Sequence, residues 1–137
     1  MKMSRRYLGM FIFVLTFCFS GFTQSKSIEA FEVTYKVEHI DLGEVKKGDK
    51  VSFQYEITNT GNEDIEIEIV SGCECTTLDW PRNKIKAGES ASIDVVFDST
   101  EKEESETVDV DITYKNRDPK TGDQYFKILT YSFTLTQ

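Results

Sequence analysis

The sequence predicts an all-β fold: an immunoglobulin-like antiparallel β-sandwich of about seven strands, preceded by a signal peptide. Three observations carry this. Past residue 25, apolar and polar residues alternate with period two in one stretch after another, the pattern of strands that bury one face. Clusters rich in Gly, Asn, Asp and Ser interrupt those stretches at intervals of about 8–15 residues, the rhythm of hairpin turns. No apolar repeat of helical period appears after residue 25.

The elements follow in order. Residues 35–40 and 42–45 read as a first strand broken near its middle, closed by the turn KKGD. Val51, Phe53, Tyr55 and Ile57 then alternate with Ser52, Gln54, Glu56 and Thr58. NTGN (residues 59–62) is a turn, because Asn and Gly tolerate positive φ. Ile65, Ile67 and Ile69 alternate with Glu66 and Glu68, and AGES (residues 87–90) is the next clear turn. Ile93, Val95 and Phe97 alternate with Ser92, Asp94 and Val96. Val108, Val110, Ile112 and Tyr114 alternate with Asp109, Asp111 and Thr113. Leu129, Tyr131, Phe133 and Leu135 make the last strand. Phe126 and Ile128 lie in the opposite phase, which predicts a bulge near Leu129. STEKEESET (residues 99–107) and KNRDPKTGDQ (residues 115–124) are charged hairpin loops. The core expected from this phase is Phe53, Tyr55, Ile57, Ile67, Ile69, Ile93, Val95, Phe97, Val110 and Ile112.

The N-terminus has a different character. Lys2, Arg5 and Arg6 precede an uncharged apolar run over residues 8–19, and Ser20, Gly21, Thr23 and Ser25 follow. That is the layout of a secretory signal peptide over residues 1–25, cut near Thr23–Ser25. The apolar run is shorter than the roughly 20 residues a helix needs to span a bilayer, which disfavours an uncleaved anchor. Cys18 as a lipid-bearing cysteine is disfavoured by the bulky Phe17 before it. The expected mature domain is residues 26–137, exported to the periplasm, the cell envelope or the medium, with no membrane insertion after cleavage. Three of the 16 bases lie in the signal, leaving 13 bases against 24 acids and a net charge of −11. Such a chain repels nucleic acid, whose phosphates need Lys and Arg. It suits a soluble exported domain.

The chemistry, if any, lies in SGCECTTLDWP (residues 71–81), which holds the only tryptophan and both cysteines outside the signal. On an extended strand Cys73 and Cys75 face one side, a two-coordinate grip for a soft ion such as copper(I). Zinc would need about two more ligands, and His39 is the only histidine. A bridge between the two is awkward on a straight strand, where Cα atoms two residues apart lie about 6.6 Å from each other. A bend at Gly72 or Glu74 would shorten that. Three readings stay open: a structural pair, reduced or bridged; a redox or intermolecular thiol role; a soft-metal site. Glu74 places a negative charge beside the thiols and so disfavours the thiolate that the second and third need. Trp80 is expected to pack on the core. The acidic residues Glu56, Glu66, Glu68, Asp94, Asp109 and Asp111 are expected to form solvated sheet faces. No catalytic signature is present: no Gly-x-Ser-x-Gly, no phosphate-cradling Gly loop, no His-Glu-x-x-His.

DLGEVKKGDKVSFQYEITNTGNEDIEI, SGCECTTLDWP and IKAGESASIDVVFDST together resemble the bacterial "domain of unknown function 1573" family, over about residues 40–116. The Cys-x-Cys-Thr-Thr segment is the specific part. This chain departs from the pattern at Glu74, where the family has Gly, at Ala87, where it has Pro, and after FDST, where the usual Gly is missing. The resemblance implies an exported immunoglobulin-like domain of uncharacterised function. The expectation is therefore a non-enzymatic interaction or structural module of a bacterial cell envelope, with no cofactor and an unknown protein partner there. The alternative is a copper or thiol-redox protein acting through Cys73 and Cys75.

Overall fold

The computed structural model describes residues 29–137. The expected signal peptide, with Cys18, lies outside the described residues. Eight strands follow one another: β1 (Val33–Tyr35), β2 (His39–Lys46), β3 (Lys50–Asn59), β4 (Ile67–Ser71), β5 (Thr76–Asp79), β6 (Ser90–Asp98), β7 (Glu106–Arg117) and β8 (Gln124–Thr136). They form two four-stranded sheets, ordered β1-β3-β6-β5 and β2-β8-β7-β4, packed as a sandwich. Every pairing is antiparallel except β2 with β8, which is parallel. No helix among the described residues is long and apolar enough to cross a membrane.

Alternation puts the core where the pattern placed it. Tyr55 and Ile57 on β3, and Ile93, Val95 and Phe97 on β6, are buried against Val110, Ile112 and Tyr114 of β7 and Leu129, Tyr131 and Phe133 of β8. Each such side chain stabilises the fold by about 1.5–3 kcal/mol through the area removed from water. Aromatic rings bridge the sheets: Phe97 lies 4.5 Å from Phe133 and 5.4 Å from Tyr131, centroid to centroid. Phe53, expected in the core, is only partly buried at its margin, 5.1 Å from the Tyr131 ring.

Several expectations change. The first segment is broken at residues 36–38, and the break is a change of sheet: β1 pairs with β3, whereas β2 pairs with β8. Within β2 the register shifts between Asp41 and Glu44, where Gly43 takes φ 68° and its amide donates to the Asp41 carboxylate. No bulge occurs near Leu129. The β7–β8 register runs unbroken from Glu106↔Phe133 to Thr113↔Phe126, so Phe126 and Ile128 point outward in ordinary strand phase. The irregularity sits in β4 instead, between Ile67 and Ile69. It turns Val70 inward and leaves Ile69 exposed, against the expectation for Ile69. Ile65 precedes β4 and is held by an isolated bridge to Ile85. The strand β5 was not foreseen, because four residues directly after a cysteine pair show no clear period.

Two buried polar residues, one at the end of β3 and one just after β6, anchor the frame. Asn59 is fully buried; its side-chain amide donates to the Glu63 and Ile85 carbonyls at 2.8 and 2.9 Å, and its oxygen accepts from the Gly61 amide. The segment NTGN therefore turns around a buried amide. Gly61 has no positive φ; it is required because a Cβ there would lie 2.5 Å from the Ala30 carbonyl oxygen. Ser99, opening the charged loop, is also fully buried, and its hydroxyl lies within hydrogen-bond distance of the Lys46 and Asp49 carbonyls, closing the β2–β3 turn against the end of β6.

Candidate functional site

Cys73 and Cys75 sit in the link from β4 to β5, which carries the chain from one sheet to the other. β4 ends at Ser71, and a tight turn follows in which the Thr76 amide donates to the Cys73 carbonyl at 2.9 Å. Glu74 and Cys75 are the central residues of that turn. The turn brings the two Cα atoms to 5.2 Å, and the sulfurs are joined as a disulfide. Of the two positions where a bend was expected to allow a bridge, Gly72 and Glu74, it is Glu74 that lies in the turn. Neither central residue has a positive φ, so Glu in place of Gly costs no backbone strain.

The disulfide lies against polar groups from both sheets. The Thr76 hydroxyl is 3.2 Å from Cys73 Sγ and 3.6 Å from Cys75 Sγ. The same hydroxyl shares a 2.7 Å hydrogen bond with the Tyr131 phenol, which reaches across from β8 and lies 3.8 Å from Cys75 Sγ. Burial pushes the Tyr131 phenol above its ordinary value, and the bond to Thr76 opposes that only in part. The phenol is therefore a protonated strut at neutral pH. The Asp98 amide donates to the Cys75 carbonyl and ties the turn to the end of β6. A shallow cleft opens on each side. One, of about 340 Å³, is bounded by Gly72, Cys73, Lys102, Glu106, Asp109 and Asp111. The other, of about 350 Å³, is bounded by Glu74, Cys75, Asp98, Thr100 and Glu101. The Thr100 hydroxyl and amide hold the Asp98 carboxyl below its usual range, with Lys50 adding to the effect.

Chemically, this bridge offers a two-electron reduction to a pair of thiols. The thiolates that a soft metal requires exist only in that reduced form. No group of three or more His, Cys, Asp or Glu side chains suited to a metal occurs among the described residues. His39 is elsewhere: its ring bonds the hydroxyls of Thr130 and Ser132, on the face of β8 opposite to Tyr131. Trp80 packs on the core with the Arg82 guanidinium 3.6 Å from its ring centroid, and its buried indole N–H has no partner among the described residues. The acidic residues divide between the two outer faces. Glu56 pairs with Lys36 at 3.1 Å and Glu66 with Lys115, whereas Asp109 and Asp111 stay unpaired among the described residues. Sequence reasoning missed Thr76 and Tyr131 as partners of the sulfurs. Thr76 adjoins Cys75 and was in view; Tyr131, 56 residues farther on, was visible only as an alternating position of the last strand.

A family model described as "Protein of unknown function (DUF1573)" matches residues 33–128, more than half of the chain. No curated protein sequence matches. Among solved structures, the chain is similar to a protein of unknown function from Porphyromonas gingivalis W83, with TM-score 0.63, 19% identity and coverage of 84% of this chain and 51% of that one. It is similar to the ASH/PapD-like domain 7 of human CEP192, with TM-score 0.63 and 10% identity over 99% of this chain and 98% of that one. It also resembles a portion of the VesB protease of Vibrio cholerae, with TM-score 0.60, 16% identity and coverage of 74% and 31%. The chain thus spans about a third of the Vibrio protein and about half of the Porphyromonas protein. At such identities the likeness is one of fold: an immunoglobulin-like, PapD-like sandwich.

Proposed function

The chain belongs to the DUF1573 family, proteins of unknown function, and from that premise we propose that it is an exported, non-enzymatic interaction or structural module of a bacterial cell envelope. The observation that carries this reading is the use made of the interior hydroxyls. The Tyr55 phenol donates across the sandwich to the Thr130 carbonyl at 2.7 Å, Tyr35 and Tyr114 share a 2.8 Å bond, and Tyr131 is bound to Thr76. Each of these bonds joins one sheet to the other, and burial keeps all four phenols protonated. The interior chemistry is spent on rigidity, and what remains to act is the surface. Export follows from the signal layout of residues 1–25. N-terminal mass spectrometry of the native protein, taken from fractionated cells, tests it. A start between Gln24 and Ser27 in a soluble envelope fraction is expected. A lipid-bearing start at Cys18, or an intact Met1 in the membrane fraction, would replace export of a free domain by anchoring.

A second reading is favoured by one observation, the joining of Cys73 and Cys75 beside two open clefts. In it the pair cycles between disulfide and dithiol, and the dithiol form holds copper(I). The double variant Cys73→Ser/Cys75→Ser separates the two. A module keeps its envelope phenotype, and a redox or copper protein loses it. Thiol counting before and after reduction, with elemental analysis of the reduced protein, gives the same answer chemically.

A further inference from the structure

The large apolar side chains that stand exposed among the described residues are Val37, Ile69, Phe126 and Ile128, at 43, 48, 55 and 46%. They are far apart in sequence but not in space. Phe126 on β8 is opposite Thr113 on β7, and Thr113 is opposite Ile69 on β4, so these three form one row across the outer face of a single sheet. Ile128, two residues along β8, shares that face and is opposite Asp111, which is opposite Ser71. Val37 precedes His39 by two residues, and His39 is opposite Thr130, two residues beyond Ile128 on a parallel strand. Val37 itself lies in the break before β2, next to Glu38, whose carbonyl accepts from the Thr130 amide, and so stands near the neighbouring edge of the sheet. Three of the four exposed apolar side chains, Ile69, Phe126 and Ile128, thus converge on one end of one sheet face, whereas isolated apolar residues on a surface would scatter.

Charge adjoins the patch. Asp111, beside Ile128, and Asp109, two residues along, have no ion pair among the described residues. Both line the 340 Å³ cleft that runs on toward Cys73, while the one lysine of that cleft, Lys102, is bound to Glu106. An apolar patch that merges into an unneutralised acidic cleft is complementary to apolar anchors with a cation beside them.

We infer that this face is the docking surface for a partner polypeptide whose contact segment presents apolar side chains next to a Lys or Arg. The apolar side chains cover Phe126, Ile128 and Ile69, and the cation enters the cleft at Asp109 and Asp111. The inference rests on the reading of the protein as an interaction module. The charge excludes the other occupants. A phosphate-bearing lipid surface is repelled by a domain of this net charge, and a second copy docked about a two-fold axis through the cleft would oppose Asp109 and Asp111 to themselves.

The test places a photo-crosslinking amino acid at Thr113, amid the patch, or at Ser52, on the outer face of the other sheet, in the full chain expressed in its own bacterium. Thr113 adducts are expected with a foreign polypeptide, and sequencing of the joined peptide should find apolar residues flanking Lys or Arg. The yield should fall about tenfold with Phe126→Ser/Ile128→Ser and about fivefold with Asp109→Asn/Asp111→Asn. Melting midpoints of the variants, which alter exposed or half-exposed groups, check that folding is unaffected. An adduct with a second copy, or with lipid, overturns the proposal, as does a foreign adduct insensitive to both double variants. Absence of a Thr113 adduct overturns it as well. A polypeptide adduct from Ser52 would then leave the module reading standing, and no adduct from either position would remove that reading too.

Discussion

The Asn59 amide bonds two carbonyls and receives one backbone N–H while fully buried, so its loss removes three hydrogen bonds; the Ile85 carbonyl and the Gly61 amide keep their bonds to Ile65 and Glu32, and the Glu63 carbonyl loses its donor. Asn59→Ala should destabilise the domain by about 1–3 kcal/mol, the cost of the lost bonds and the unsatisfied carbonyl, measured by urea unfolding. Asn59→Asp should be worse, because an acceptor would face the Glu63 and Ile85 carbonyls. The phenols give a second residue-scale prediction. Burial raises Tyr35, Tyr55, Tyr114 and Tyr131 above 10.0 in the fold, and in the unfolded chain they ionise near 10.0. A raised folded value means that the stabilisation is present in full below about pH 10 and declines as pH rises beyond it. Urea midpoints should be level across the phenols' neutral range and fall above about pH 10. Tyr55→Phe should reduce that fall while lowering stability at pH 7 through the lost bond to Thr130. An unchanged alkaline slope would show that Tyr55 ionises freely in the fold.

At the scale of strands, phase decides the outcome of substitution. Phe97 is fully buried between the sheets, and Phe97→Ala should cost about 3–5 kcal/mol. Asp94 and Ile69 face outward, and Asp94→Ala and Ile69→Ala should each stay within about 0.5 kcal/mol. A large loss at Ile69 would mean that β4 keeps the uninterrupted phase its sequence shows. β3, β6, β7 and the inner half of β8 were legible because each buries one face against the other sheet, which forces strict alternation. β4 was misread because its bulge switches phase within five residues, and a bulge leaves no mark in an Ile-Glu-Ile-Val run. Phe126 and Ile128 were misread for a related reason. A strand with apolar residues on both faces looks like a slipped register, although here the outer face is apolar in its own right. Of the candidate site, the closeness of the sulfur pair was legible from spacing, and Glu74 was one of two positions, with Gly72, where a bend would allow a bridge. Its partners Thr76 and Tyr131 depended on how two sheets stack, which local pattern does not encode.

At the scale of the whole molecule, the pairing of β2 with β8 sets early and late stretches of the chain side by side, with His39 opposite Thr130 and Lys46 opposite Thr136. Both strands run in the same direction. A pull that drags residue 29 one way and residue 137 the other slides these strands along their length, once the three-residue β1 has let go of β3. In that geometry the inter-strand bonds from His39 to Lys46 bear the load together, whereas a hairpin pulled from its open end loses its bonds singly, in succession. The domain should therefore resist tension along its own chain. Optical-trap unfolding through handles at residues 29 and 137 should give one high-force rupture. Handles at residues 59 and 90, which peel β3 from β6 at the Thr58–Ser90 end, should open the fold at markedly lower force.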